Sequence, residues 1–115
     1  MNKKRSPTRQ TLSRDHIEQR ALALIDREGM EAFSMRRLGE AVGCEAMSLY
    51  HHYPNKAHVL DALVDRVLSG IRIPQRDLSP YERLRQLAHR WRAMARSHAR
   101  FYPWLALHRW NSRIG

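Results

Sequence analysis

The chain has 115 residues, 43% hydrophobic and 28% charged, so one soluble domain with a hydrophobic core fits it and a disordered chain does not. No apolar run approaches the roughly 20 residues that span a bilayer, and the basic N-terminus lacks the apolar stretch of a secretory signal. The net charge of +10 points to a nucleic-acid partner, although residues 15–79 hold eight basic and ten acidic residues. A DNA-binding role for that middle region must therefore depend on geometry rather than charge.

The first predicted helix follows a polar, basic arm at residues 1–12. Ser13 can cap its N-terminus, and apolar residues recur at helical spacing over about residues 14–28. Gly29 supplies a C-terminal stop. This helix opens a predicted domain that covers residues 13–70.

Three further helices are predicted in that domain. Ser34 caps the second, MRRLGEAV, which stops at Gly43. The third covers about residues 45–53 and is ended by Pro54, because proline cannot continue a helix. Asn55 caps the fourth, KAHVLDALVDRVLS, which connects the domain to the rest of the chain.

The C-terminal part begins after a predicted linker at residues 71–79. The run Ser-Pro-Tyr-Glu at residues 79–82 has the pattern of a capping box with proline at the first helical position, and it starts a fifth helix. Pro103 marks a break before another helical stretch. Residues 80–115 hold eight arginines and one acid. Because no segment has a convincing strand pattern, we expect an all-α protein.

The second and third helices are separated by about three residues, which is the spacing of a helix-turn-helix motif. The positions predicted to fill the core beneath the motif are Leu38, Val42, Cys44 and Leu49. Gly39 would let the two helices cross at close range, and Gly43 can adopt the positive φ that a tight turn needs. Glycines at both positions make the motif more specific than its spacing alone.

The third helix has side chains suited to DNA. Ala46 and Met47 can contact thymine methyl groups in a major groove, and Ser48 can hydrogen-bond either a base or a phosphate. The hydroxyl, imidazole and ammonium groups suited to phosphates are those of Tyr50, His52 and Lys56. The exposed amides after Ser34 also form a phosphate site.

Two segments carry a family resemblance, EGMEAFSMRRLGEAVG and SLYHHYPNKAHVL. They resemble the N-terminal DNA-binding region of TetR-family transcriptional regulators, and the similarity extends over residues 13–68. In that family a leucine–tyrosine pair is followed by histidine, lysine and leucine. The corresponding residues here are Leu49, Tyr50, His52, Lys56 and Leu60.

The resemblance implies roles for individual residues. The expected base-reading residues are Arg36, Ala46, Met47, Ser48 and His51. The expected phosphate contacts are Ser34, Arg37, Tyr50, His52 and Lys56. Lys3, Lys4, Arg5 and Arg9 would form a DNA-binding arm. Arg37 fits equally well as a solvated helix arginine.

The resemblance also implies a cytoplasmic, bacterial-type repressor that binds a palindromic operator in double-stranded DNA as a homodimer, without enzymatic activity or membrane association. No cofactor is expected beyond a small-molecule effector. Trp91, Met94 and His98 on the fifth helix would line its pocket, or else pack against further helices. Family members are about twice as long, so residues 80–115 would be only the start of a ligand-binding and dimerisation domain.

Other classes of function fit the sequence less well. The adjacent His51 and His52 point about 100° apart on a helix, and neither has a histidine at i+4, so they do not form a metal-ligand pair. Nothing nominates a catalytic group or a substrate. The basic, amphipathic fifth helix with its tryptophan is the basis of a rival interpretation, binding to a membrane surface or an acidic partner.

Overall fold

The computed structural model describes residues 13–107, and within that range every regular element is helical. The helices are α1 (Arg14–Glu28), α2 (Met35–Val42), α3 (Ala46–Tyr50), α4 (Lys56–Ser69), α5 (Pro80–Ser97) and α6, which includes residues 102–107. A 3-10 turn, Met30–Ala32, follows α1, and the extended residues Phe33 and Ser34 lead from it to α2. The all-α prediction is confirmed. The basic arm predicted at residues 1–12 lies outside the described residues.

The predicted helix starts are formed by side-chain caps. The hydroxyl or amide oxygens of Ser13, Ser34, Asn55 and Ser79 each accept a hydrogen bond from the backbone N–H three residues later. These bonds satisfy donors that the first turn of a helix leaves without an intrahelical partner. At the other end of α1, Gly29 has φ of +94°, and its N–H donates to the Ile25 carbonyl.

The helix α3 is shorter than predicted. It ends at Tyr50, and residues 51 and 52 form a turn. The N–H groups of His52 and Tyr53 both donate to the Leu49 carbonyl at 2.9 Å, so the chain tightens before it reaches Pro54. This turn brings the Tyr53 side chain into the core, where it is 2% exposed.

The core joins α1 to α2 and α4, and α3 packs on α2. Its fully buried members include Leu24 of α1, Leu38 of α2, Leu49 of α3 and Leu63 of α4. Burial of these side chains provides most of the free energy that holds α1, α2, α3 and α4 in one arrangement. The helix-turn-helix is therefore fixed to both neighbours rather than standing alone.

The buried part of α5 lies near its C-terminus. Met94 is buried there, and Phe101 and Leu105 join the same core after the turn that follows α5. Leu84 and Trp91, in contrast, are 67% and 38% exposed, so the apolar side of this amphipathic helix is largely uncovered among the described residues. None of the described helices has the length and apolar character required to cross a membrane.

Two polar contacts join the end of α5 to α1. His98 Nδ1 lies 2.8 Å from a carboxylate oxygen of Asp26, and the Arg100 guanidinium donates to the Arg27 carbonyl at 2.8 Å. The Arg100 side chain also lies against Gly29, which ends α1. The end of α5 is thus attached directly to the helix that supports the helix-turn-helix.

Candidate nucleic-acid interface

At Gly39 the backbone of α2 lies close to the turn and to the start of α3. A Cβ atom added there would lie 2.8 Å from the Cys44 carbonyl oxygen and 3.5 Å from the Ala46 nitrogen. The Gly39 carbonyl accepts hydrogen bonds from the N–H groups of both Gly43 and Cys44, at 2.8 and 2.9 Å. The close crossing predicted from the sequence is present, and backbone atoms rather than side chains set its distance.

The turn between α2 and α3 depends on Gly43. Its φ of +91° and ψ of +30° lie in the left-handed region, which residues with a Cβ rarely adopt. An added Cβ would meet nothing within 4 Å, so only the backbone conformation selects glycine at this position. Cys44 follows, half-buried at the edge of the core, and burial raises the pKa of its thiol.

The helix α3 presents a continuous outer face. Leu49 is fully buried beneath it, while Met47 is 72% and Tyr50 44% exposed. Ala46 and Ser48 are half-buried, and His51 is exposed just after the helix ends. An exposed methionine and tyrosine on a helix held this firmly can contact a partner without rearranging the core.

The groups predicted to contact phosphates lie around that face. Lys56 is exposed at the start of α4 and His52 is half-buried, while Arg36, which is predicted to read bases, is exposed at the start of α2. Lys56 Nζ lies 5.7 Å from the centre of the Phe33 ring, which keeps the ammonium group near the surface. The Ser34 hydroxyl accepts from the Arg37 N–H at 3.0 Å, so this serine caps α2.

Arg37 has a structural role that the sequence did not indicate. Its guanidinium is bound to the carboxylates of Glu28 and Glu40, the latter at 2.9 Å. The hydrogen bond from Arg37 lowers the pKa of Glu28, and the same bond raises the pKa of Arg37. A phosphate would compete with both carboxylates for this guanidinium. The DNA contact of Arg37 stays a prediction, beside an observed role in joining α1 to α2.

A second polar network, missed in the sequence, holds the end of α3. The Arg14 guanidinium donates to the His52 carbonyl at 2.9 Å and lies 4.9 Å from the centre of the Tyr53 ring. The Tyr53 hydroxyl donates to Glu18 at 2.6 Å, and Arg66 of α4 lies 3.4 Å from the same carboxylate. Burial and this hydrogen bond raise the pKa of Tyr53. Tyr53 is thus a core residue that also ties the segment after α3 to α1 and α4.

No local signal in the sequence identifies this network. Arg14 and Glu18 are separated from their partners by 38 and 35 residues, and Arg66 from Glu18 by 48. Each side chain on its own reads as an ordinary charged residue on a helix surface. Arg14 and Glu18 lie one turn apart on α1, and the tertiary fold brings Tyr53 and Arg66 to them.

The three residues predicted to line an effector pocket do not share one surface. Met94 and His98 border a cavity between α1, α4 and α5. Trp91 instead donates from its indole N–H to the Tyr102 hydroxyl at 3.0 Å, with the two rings nearly perpendicular. Among residues 13–107, no group of three histidine, cysteine or carboxylate side chains is placed to hold a metal ion.

Comparison with known proteins identifies the motif. The sequence model of the family described as "Bacterial regulatory proteins, tetR family" matches residues 17–63, which contain α2, the turn and α3. An HTH-type transcriptional regulator of Saccharopolyspora erythraea is 39% identical over 71 residues, 62% of this chain and 30% of that protein. The helix-turn-helix region of this chain is therefore similar to that of TetR-family regulators.

Two further TetR-family proteins extend the comparison. The transcriptional repressor DrrR1 of Streptomyces coeruleorubidus is 42% identical over 57 residues, which cover half of this chain and 21% of DrrR1. The crystal structure of ActR from Streptomyces coelicolor, in complex with actinorhodin, is 32% identical with a TM-score of 0.69. That match covers 75% of this chain and 41% of ActR. The chain spans less than a third of the length of the Saccharopolyspora erythraea regulator and of DrrR1.

Proposed function

We propose that this chain is a TetR-family, sequence-specific DNA-binding transcriptional regulator. The observation that carries the proposal is the close packing of α2 at Gly39 against the turn and the start of α3, with Met47 and Tyr50 exposed on α3 and Leu49 buried. A DNA major groove is wide enough to admit such a helix, and apolar and hydroxyl side chains can then reach base edges and phosphates.

The proposed contacts divide into two groups. Side chains that read bases are Arg36, Ala46, Met47, Ser48 and His51. Side chains that bind phosphates are Ser34, Arg37, Tyr50, His52 and Lys56, with Lys3, Lys4, Arg5 and Arg9 as an arm. Phosphate contacts fix the position of the protein on the duplex, and base contacts provide the sequence preference.

We further propose a ligand-responsive repressor that acts as a homodimer on a palindromic operator in the bacterial cytoplasm, with no enzymatic activity. Its relatives are named as regulators and repressors, and ActR is solved in complex with actinorhodin. A twofold-symmetric protein matches a palindrome with one helix-turn-helix unit per half-site. For a ligand to release the operator, it must bind the DNA-free form more tightly than the DNA-bound form.

Selection of bound duplexes from a random pool tests the DNA-binding proposal. We expect a palindromic consensus, and an affinity that falls steeply as salt rises because phosphate contacts release counterions. Met47→Ala should change which bases are preferred. Tyr50→Phe should weaken binding to all selected sequences alike, since it removes only a hydroxyl group.

The exposed α5 provides the control. Arg92 and Arg96 lie on its exposed surface, remote from α3 in the chain. Replacing both by glutamine should leave the selected consensus unchanged. If this change abolished DNA binding while Met47→Ala and Tyr50→Phe had no effect, α5 rather than α3 would be the nucleic-acid surface, and the proposal would be refuted.

A further inference from the structure

A cavity of about 460 Å³ lies where α1, α4 and α5 meet. Its volume is within the range of about 300–1,000 Å³ that small-molecule sites occupy. The apolar part of its wall consists of Leu22 from α1, Val67 and Ile71 from the end of α4, and Ala93 and Met94 from α5. Val67 and Met94 are buried, so the floor of the cavity belongs to the core.

Three arginines contribute to the polar part of the wall. Arg66, Arg72 and Arg90 border the cavity together with His98, and no aspartate or glutamate is among the described residues that line it. Two of these four groups already face carboxylates, since Arg66 is paired with Asp15 at 2.9 Å and His98 lies beside a carboxylate of α1. Arg72 and Arg90, in contrast, have no carboxylate partner among residues 13–107.

The Arg90 side chain is held against the backbone of Arg72, and both residues line the cavity. The Arg90 guanidinium donates to the Arg72 carbonyl at 2.6 Å and to the Gln86 side chain at 3.1 Å. Neither contact neutralises its charge, because both acceptors are uncharged. The Arg72 side chain is exposed and has no acidic partner among residues 13–107.

We propose that this cavity binds a small apolar molecule that carries one anionic group, such as a carboxylate or a sulfonate. The apolar body would cover Val67 and Met94, and the anion would lie between the guanidinium groups of Arg72 and Arg90. Charge-assisted hydrogen bonds from arginine to an oxyanion are short and strong, and two cations without acidic partners select against neutral ligands.

The location gives such a ligand a route to the DNA-binding surface, and this consequence rests on the proposed function. The ligand would touch α1 and α4, which support α3, and also α5, which is attached to α1 through His98 and Asp26. Filling the cavity would therefore change the separation of α5 from α1 and α4. The ligand would control operator affinity to the extent that this separation differs between the DNA-bound and DNA-free forms.

Fluorescent dyes provide a direct test on the full chain. The anionic probe is 8-anilinonaphthalene-1-sulfonate, and its neutral counterpart is N-phenyl-1-naphthylamine, which has the same apolar body without the sulfonate. We expect the anionic dye to bind at one site and more tightly than the neutral dye. Arg72→Gln and Arg90→Gln should each weaken the anionic dye about tenfold and leave the neutral dye nearly unchanged.

Two variants of α5 locate the dye. Ala93→Phe fills the cavity from an exposed backbone position and should abolish binding of both dyes, with an unchanged unfolding midpoint. Leu84→Ser, on the exposed apolar stripe remote from the cavity, is the matched control and should bind both dyes like the parent chain. The Arg90 guanidinium also binds the Arg72 carbonyl, so Arg90→Gln can destabilise the fold. If Arg90→Gln lowers the unfolding midpoint, the test of anion binding depends on Arg72→Gln alone.

Three outcomes would overturn the inference. These are equal binding of the two dyes, binding that survives Ala93→Phe, and binding that Leu84→Ser removes. Operator affinity is measured separately, with and without the anionic dye. If the parent chain binds DNA but not the anionic dye, only the proposal that the cavity binds an anionic ligand is refuted. If it binds the dye but shows no DNA specificity, only the proposed function is refuted.

Discussion

Replacing Gly39 by alanine tests whether backbone contact sets the crossing of α2 and α3. At a helix position with free space around it, this change raises the free energy of unfolding by about 1 kcal/mol, because alanine favours the helix. Here the new Cβ would lie 2.8 Å from the Cys44 carbonyl oxygen. Ordinary carbon–oxygen contact begins at about 3.3 Å, so the turn must move away from α2 by about 0.5 Å.

That movement has no easy direction. The opposing atom is backbone, and the Gly39 carbonyl is already bound by the N–H groups of Gly43 and Cys44. Inserting a methyl group into such a contact costs about 1–3 kcal/mol, and a backbone obstacle places the cost in the upper part of that range. After the helix-propensity gain, we expect Gly39→Ala to lower the free energy of unfolding by about 1–2 kcal/mol.

Urea denaturation followed by far-ultraviolet circular dichroism measures this change, and Gly43 provides the control. Gly43→Asn should cost less than Gly43→Ala, because asparagine tolerates positive φ and an added Cβ meets nothing within 4 Å. Gly39→Ser should cost at least as much as Gly39→Ala, since steric contact rather than φ is the cause. A Gly39→Ala chain more stable than the parent by about 1 kcal/mol would refute the close crossing.

Two further predictions concern polar contacts. Tyr53→Phe should lower the free energy of unfolding by about 1–2 kcal/mol in urea denaturation, because it removes the hydroxyl that donates to the half-buried Glu18. Tyr50→Phe, at an exposed position, should change it by less than about 0.5 kcal/mol, and equal losses from both would contradict the Tyr53 contact. The bond from Arg37 lowers the pKa of Glu28 from its ordinary 4.5, so their ion pair should add stability above that pH and lose it as the pH falls. The stability difference between the parent chain and Arg37→Gln should therefore shrink on acidification below about 4.5, and a difference constant with pH would contradict the pairing.

The local elements of this protein were predictable because their causes are local. A serine or asparagine cap needs only the backbone N–H three residues ahead, so the starts of α1, α2, α4 and α5 could be read from single residues. The same holds for Gly43, whose positive φ is a requirement of the turn itself. The spacing of α2 and α3 then identified the helix-turn-helix.

The end of α3 was predicted less well, for a tertiary reason. Proline at residue 54 set an outer limit, but the helix ends earlier because burial of Tyr53 turns the chain. The helix α5 was predicted correctly, but its degree of burial was not. An amphipathic pattern does not show which part of the apolar side another element covers, and Leu84 and Trp91 are exposed.

The sequence by itself thus determined where the capped helices begin and the turn between α2 and α3. Tertiary structure alone decided which charged side chains meet, since the partners of Arg14, Arg37 and Arg66 lie on other helices. It also separated Trp91 from Met94 and His98 and formed the cavity at the junction of α1, α4 and α5. Capping and turn formation depend on neighbours a few residues away, whereas ion pairs and cavities depend on how whole helices pack.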